Sequence, residues 1–458
     1  MINAFPPSSM NEMSSSVTTA SAPVDRNRLY RKIGFRLLPL LFIGYIVANL
    51  DRNNVAFAKL VFLPALGFNE KIFGIGAGLF YLGYVLCEIP SNLLLARIGA
   101  RLTFPRIMVL WFLATLGLAF ITQPWHYYLA RALLGASEAG YLPGVLLYLS
   151  LWAPRARRAR FTALFMSAIP ISGMIGAPIA GVLMHGLDGA LGVAGWRWLF
   201  IIEAIPALIL AFVFYRYLLN SPVQASWLDP AERQTIIGDL SDDEATGGVR
   251  ARTKNSGEGA RVSPLSVLKN PYFYMIGLQS FALLSALNGL NLWGPTILRD
   301  SGIGSVLHIA LLASLPQTVG IIALLGNAVL SDRTGERRFH VAVPSLMAAV
   351  GWLLLPSFQG QPVAAVLLLA LIAVGVFGAT AVFWTIPSQY ARGPSAAAGI
   401  ALITTMGGLG AMCSPFVVGW LADTTGSLVA GQYYYGAVSL IGVGALLFGT
   451  ARLAREPA

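Results

Sequence analysis

Twelve apolar stretches, each close to the ~20 residues needed to cross a bilayer as helix, divide most of this chain. They run over about 33–60, 72–96, 102–122, 126–152, 160–187, 196–219, 272–298, 305–331, 339–357, 362–391, 395–422 and 430–452. In hydrocarbon no water is available to satisfy backbone N–H and C=O groups, so stretches of this length fold as helices. Composition agrees. Of 458 residues, 56% are hydrophobic and 11% charged, against about 25% charged in soluble domains. The expected fold is an all-α membrane protein with twelve transmembrane helices.

The chain divides accordingly. Residues 1–30, rich in Ser, Pro, Thr and Ala at their start, read as a disordered cytoplasmic tail rather than a cleavable signal. A six-helix bundle is expected over 31–219 and a second over 271–452. Between them, 220–270 carries Asp242, Asp243 and Glu244 and a Gly/Arg/Ser-rich section, a cytoplasmic linker; 453–458 form a short tail.

Basic residues set the orientation. Apart from intramembrane Arg52 and Arg131, and Lys59, Lys71, Arg197 and Arg299 on the other side, every Lys and Arg falls on the side of the termini. The positive-inside rule makes that side cytoplasmic, in a multi-pass protein of the cell (inner) membrane. The +11 net charge then reflects topology and anionic lipid contact, not nucleic-acid binding. Cys87 and Cys413 both lie in apolar runs and supply no disulfide framework.

The halves repeat. Leu95-Ala96-Arg97-Ile98-Gly99-Ala100-Arg101 follows the second span, and Ser331-Asp332-Arg333-Thr334-Gly335-Glu336-Arg337 follows the eighth, 236 residues later. Gly173 and Pro178 match Gly410 and Pro415 at an offset of 237. Parallel six-helix repeats with a site between them follow, hence two pseudo-symmetric bundles.

The second-half copy, with Arg338 after it, resembles the loop motif of the major facilitator superfamily. By that resemblance Asp332 caps or pairs with a neighbouring helix end, Gly335 permits the tight turn, and Arg337 and Arg338 hold the inner face, with Arg333 part of the same gating motif. The first copy departs from it, with Ala96 where the acid usually stands.

A closer resemblance spans about 45–426. Leu50-Asp51-Arg52-Asn53-Asn54-Val55-Ala56-Phe57-Ala58 is similar to the first-helix motif of the anion:cation symporter family. So are Gly83-Tyr84-Val85-Leu86-Cys87-Glu88-Ile89-Pro90-Ser91-Asn92, Gly135-Ala136-Ser137-Glu138-Ala139-Gly140-Tyr141-Leu142-Pro143-Gly144 and Ser395-Ala396-Ala397-Ala398-Gly399-Ile400-Ala401-Leu402. The resemblance implies the major facilitator fold and proton-driven uptake of organic anions. It puts a substrate-binding arginine at Arg52 and substrate-side groups at Tyr84, Trp384 and Thr404. Thr404 and Gly408 replace asparagines common in the family, and Ile169 stands where sugar-acid carriers have a glutamine, which favours a less hydroxylated acid, aromatic acids among them.

The residues support that chemistry. A charge near the bilayer centre costs roughly 2.5–3.5 kcal/mol on insertion scales, so charges kept there are in use. A guanidinium clamps a carboxylate through two hydrogen bonds, which suits Arg52 to an anion. Coupling needs carboxyl groups whose proton affinity changes as the cavity opens and closes; Asp51 and Glu138 are so placed. Arg131 and Glu138 share a helix face two turns apart, and Arg131 is expected to lock onto Asp51 across the bundle. Plainer roles compete: snorkelling at Asp51-Arg52, a structural anchor at Arg131, a helix–helix contact at Glu138. Asn288, Asn291 and Gln317 either line the pore or hydrogen-bond between helices. Glu88 and Glu203 read as structural.

No phosphate-binding Gly-x-x-x-x-Gly-Lys-Ser/Thr loop occurs, and the four His are scattered near span ends. Neither an enzyme, a catalytic residue, a metal site nor a cofactor is expected; a proton gradient supplies the energy. The sequence thus reads as a monomeric organic-anion:H⁺ symporter working by alternating access. The alternatives are an anion exchanger or organic phosphate antiporter, and a membrane ligand sensor that does not transport.

Overall fold

The computed structural model describes residues 24–247, 270–390 and 395–453; most of the N-terminal tail, the middle of the linker and the end of the C-terminal tail lie outside it. Its twelve helices long and apolar enough to cross a membrane are α1 (Arg26–Leu66), α2 (Glu70–Ile98), α3 (Ala100–Leu118), α4 (Pro124–Ser150), α5 (Arg155–Gly186) and α6 (Gly195–Tyr217), then α7 (Pro271–Asp300), α8 (Val306–Thr334), α9 (Arg338–Phe358), α10 (Pro362–Pro387), α11 (Ala398–Thr425) and α12 (Val429–Thr450). Six precede the linker and six follow it, so the fold is the all-helical two-bundle architecture.

α1 is longer than its apolar stretch. Its 41 residues extend about 60 Å at helical rise, twice the hydrocarbon thickness. Asp25 caps the start through the amides of Asn27 and Arg28, and Gly67, left-handed at φ 67°, ends it. The projecting end is clasped by a linker helix, Pro230–Gly247. Asp239 takes Arg26 at 2.9 Å and accepts from the Tyr30 hydroxyl, and Glu232 meets Lys32 at 2.6 Å. Asp243, from the acidic run, faces Arg158 at 3.6 Å.

Three spans are interrupted, α4 and α5 well inside the membrane and α10 near its terminus-side end. α4 stops at Glu138 and restarts at Tyr141; the break is set by Gly140 at φ 87°, where an added Cβ would lie 2.5 Å from the Ser91 hydroxyl. α5 is interrupted at Ser167 and α10 at Trp384.

The halves meet along α2 with α11, α5 with α8, and α1 with α7. Their closest approach is away from the termini. A Cβ on Gly74 would stand 2.3 Å from the Pro415 carbonyl oxygen, so two helix backbones touch there. Asn69 donates to Asp423 at 2.6 Å, and Arg299 lies 3.8 Å from Glu70. The deepest tie is Tyr81 to Asn288, 2.7 Å. Among the described residues no hydrogen bond or ion pair joins the bundles on the terminus side of that level. The molecule is closed on the face away from its termini.

Candidate functional site

Asp51 and Arg52 are adjacent on α1, so they point in different directions, about 100° apart on a helix. Arg52 turns toward α4 and makes an ion pair with Glu138, Nη2 to Oε2 2.6 Å. Its guanidinium lies 5.3 Å from the Phe80 ring centre and 5.6 Å from Tyr84, both on α2. Glu138 is the last residue before the α4 break, so the helix's negative end adds to the attraction. Arg131 is 1% exposed and stacks on the other side of the cluster, 4.7 Å from Phe80. No carboxylate pairs with it among the described residues. Two guanidiniums thus share the Phe80 ring while Glu138 pairs with Arg52 alone, leaving Arg131 without an anion of its own in a low-dielectric setting.

The expected lock between Arg131 and Asp51 is not formed. Asp51, buried, is held instead by α3: the Trp111 indole N–H and the Thr115 hydroxyl, 2.9 Å, both donate to its Oδ2. Trp111 and Thr115 are four apart and share a helix face. Spacing along one helix tells which face a charge occupies, but its partner depends on how neighbouring helices are rotated. Asp51 is also too enclosed to snorkel, and Arg52 is held inward by Glu138.

Other expected site residues are distributed around this cluster. Tyr84 is part of it. Asn288 is committed at both ends of its amide, accepting from Tyr81 and donating to the Ala411 carbonyl at 2.9 Å, so it ties helices together. Asn291 accepts from Gln317 at 2.9 Å. Both line a small cleft of about 40 Å³ between the halves, with Asn53, Asn54 and Gly173. Trp384 is 40% exposed at the α10 break and packs edge-on against Phe383. Thr404 is exposed, its hydroxyl turned back to the Ile400 carbonyl. Neither hydrogen-bonds to the Arg52 cluster among the described residues.

At the loop motifs, Asp332 pairs with Arg337 at 2.7 Å across its own turn, and Gly335 has φ 69°. Arg333 is exposed. In the first half, Arg101 donates to the Tyr215 carbonyl, and its backbone N–H to Asn220. Gly99 sits against that same Asn220 side chain with φ 80°, while Arg97 is exposed. The first-half copy, without its acid, therefore anchors to the end of α6.

One polar set was not recognised in the sequence, and a second, read as structural, sits closer to the site than the sequence told. Lys59, taken there for an outer-side charge, is 0% exposed. It pairs with Glu70 at 3.0 Å and lies between the rings of Phe73 and Trp293, 4.1 and 3.9 Å from their centres. Trp293 belongs to the other half, so this cation bridges the closure. Glu203 on α6, read as structural, accepts from Asn54 of α1 and acts electrostatically on Asp51. A signal existed for both, since each is a charge within or at the edge of an apolar run.

The chain is similar to known proteins over most of its length. The family model described as Major Facilitator Superfamily matches residues 41–415. A putative tartrate transporter of Agrobacterium vitis is 39% identical, covering 90% of this chain and 89% of its own length. The putative metabolite transport protein NicT of Pseudomonas putida is 38% identical, covering 91% and 94%, and a quinolone resistance transporter of Acinetobacter baumannii 38%, covering 93% and 96%. Among solved structures, a D-xylose–proton symporter shares the fold with TM-score 0.70 at 16% identity, covering 91% of this chain and 97% of its own. With the two-bundle fold and the charged cluster at its centre, these likenesses show that the chain belongs to the major facilitator superfamily, as an anion:cation symporter-like permease and not an enzyme.

Proposed function

We propose that this permease carries a small organic anion together with protons, by alternating access. The observation that carries the reading is the part-buried Arg52–Glu138 pair, Arg52 24% and Glu138 2% exposed, with Arg131 beside it. Two guanidiniums against one carboxylate leave room for a second anion, and Arg52 can exchange Glu138 for a substrate carboxylate. Glu138, once displaced, is a buried charge without its partner, which a proton neutralises at less cost than desolvation exacts. Substrate binding and protonation are then linked through one arginine. Asp51, with Glu203 behind it, is the second carboxyl available to the gradient.

The relatives named for tartrate and metabolite transport support an organic acid as cargo, and the rings of Phe80 and Tyr84 around Arg52 favour one with a flat, unsaturated or aromatic body. An organic phosphate exchanger is less well supported. Arg299, at the outer end of α7, is occupied by Glu70 and Asp300. The positive-inside distribution of Lys and Arg supports a cytoplasmic position for the termini, and inward transport belongs to the proposed proton-driven reading. No cofactor beyond the proton gradient is invoked, and the halves of one chain enclose the site, so a monomer suffices.

Uptake of a labelled organic-acid panel into cells, with and without a protonophore, tests the reading. Accumulation should collapse with the proton gradient. Arg52→Ala should lose binding of the accepted acid by at least a hundredfold. Accumulation that survives the protonophore, or wild-type affinity in Arg52→Ala, sinks it.

A further inference from the structure

Outside the transport site, one large cleft opens on the first half. It measures about 700 Å³ and lies among α2, α3 and α4, toward the terminus side. Its mouth is formed by Leu93, Leu110, Leu113 and Leu133, all exposed. On a membrane-spanning surface these leucines meet lipid tails. At its terminus-side end stand two arginines, Arg97 and Arg106.

Arg106 does not fit a plain lipid-facing wall. It lies six residues into α3, about 9 Å from the helix start, at the depth where headgroups give way to chains. One Nη donates to the Ser91 hydroxyl at 3.0 Å, while its Nε is buried with no partner. Among the described residues no carboxylate pairs with either arginine. Two positive charges beside an apolar slot need an anion that also carries hydrocarbon.

We propose that this cleft is a binding site for an anionic phospholipid of the terminus-side leaflet. Its phosphate is held by Arg97 and Arg106, and one acyl chain lies along the leucine-walled slot. A phosphodiester accepts from a guanidinium through two parallel bonds, satisfying the donor left open on Arg106. Headgroups of net negative charge are favoured because the site holds two cations and no acid. The occupant also reaches the transport machinery. Ser91, which Arg106 holds, packs against Gly140 at the α4 break, two residues beyond Glu138.

Purified protein in mild detergent, given equal amounts of phosphatidylglycerol and phosphatidylcholine and read by native mass spectrometry, tests this. The wild type should retain phosphatidylglycerol at least fivefold over phosphatidylcholine. Arg106→Gln should bring that ratio to within twofold, and Leu113→Trp, which fills the slot, should lower lipid retention while leaving both arginines. Glycerol 3-phosphate, the headgroup chemistry without chains, should not compete at millimolar concentration. Equal retention of the two lipids by the wild type, or an unchanged ratio in a folded Arg106→Gln, overturns the proposal. Competition by glycerol 3-phosphate overturns the lipid and leaves a phosphate site. Should Arg106→Gln fail to fold, unchanged retention in Leu113→Trp overturns it equally.

Discussion

Glu138 answers to two arginines, Arg52 by direct contact at 2.6 Å and Arg131 through space. That makes it the residue on which coupling turns. Glu138→Gln keeps the shape and a hydrogen-bond acceptor for Arg52 but removes the proton. Exchange of labelled for unlabelled acid across proteoliposomes should therefore continue at near wild-type rate, while accumulation driven by a pH gradient falls at least tenfold. Concentrative uptake that persists in this variant removes Glu138 from the coupling route. Lys59 makes a different claim. Its ammonium is buried, and Lys59→Met leaves Glu70 with only Arg299 at 3.8 Å. Removing one partner of a buried pair costs about 3–5 kcal/mol, reduced here because Glu70 is 21% exposed. Thermal unfolding in detergent should show a clear drop for Lys59→Met, largely regained in the double variant Lys59→Met with Glu70→Gln. An unchanged midpoint in the single variant means the pair carries no stability. Arg52 and Glu138 were legible in the sequence because a charge inside an apolar run stands out against its surroundings. Their partnership was not, because it depends on helix rotation, and Lys59 hid because it stands one residue from the end of its apolar stretch while the helix continues to Leu66.

At the scale of elements, the α2–α11 contact depends on the absence of side chains. Gly74 touches the Pro415 backbone and Gly419, so Gly74→Val forces the helices apart by more than a side chain can absorb. In a background with Cys87 and Cys413 replaced by Ser, a cysteine at Asn291 should then react with a membrane-impermeant maleimide from the face away from the termini. Without the Val it should be protected. Equal labelling in both backgrounds argues that this contact is not the seal. The linker helix offers a pH test. Partial burial pushes the Glu232 carboxyl up, but its hydrogen bond from Lys32, the Asp229 amide and the Lys32 charge outweigh burial and hold it below its ordinary 4.5. A carboxyl depressed in the folded state contributes stability above its unfolded value, lost as pH falls through the folded one. Hydrogen-exchange protection in 230–247, taken relative to the intrinsic rate at each pH, should hold at pH 7 and fall below about pH 4.5, and Glu232→Gln should show the lower protection already at pH 7. Lower protection already at pH 6 in the wild type points to another group. Helix number and spacing were legible because hydropathy has the period of a bilayer. The breaks in α4 and α10 were not, since each lies within an unbroken apolar run and only the left-handed glycine at 140 hints at one.

For the whole molecule, the arrangement of ties predicts which motion transport requires. The bundles are fastened from the Tyr81–Asn288 level outward, away from the termini, and every further step of the cycle must undo those fastenings. Internal repetition in the sequence made two bundles and a central site readable. It carried no information on which face is closed, because both conformations use the same helices and the same apolar faces. Asn69 and Asp423 are the outermost polar tie, 2.6 Å apart, joining the start of α2 to the end of α11. Replacing both with Cys, in the background free of Cys87 and Cys413, puts two thiols where the bundles must separate. Oxidation should lock the face shut. Net uptake and exchange should both stop, and a reductant should restore them. Binding of the acid from the terminus side should survive the lock, because Arg52 and its rings are untouched by it. Uptake at the wild-type rate by the oxidised, verifiably cross-linked protein means that the bundles never part along α2 and α11. Loss of binding along with transport means instead that the closed form is not the one that holds substrate. The two failures are separable, so the experiment tests the rocking motion independently of the anion site.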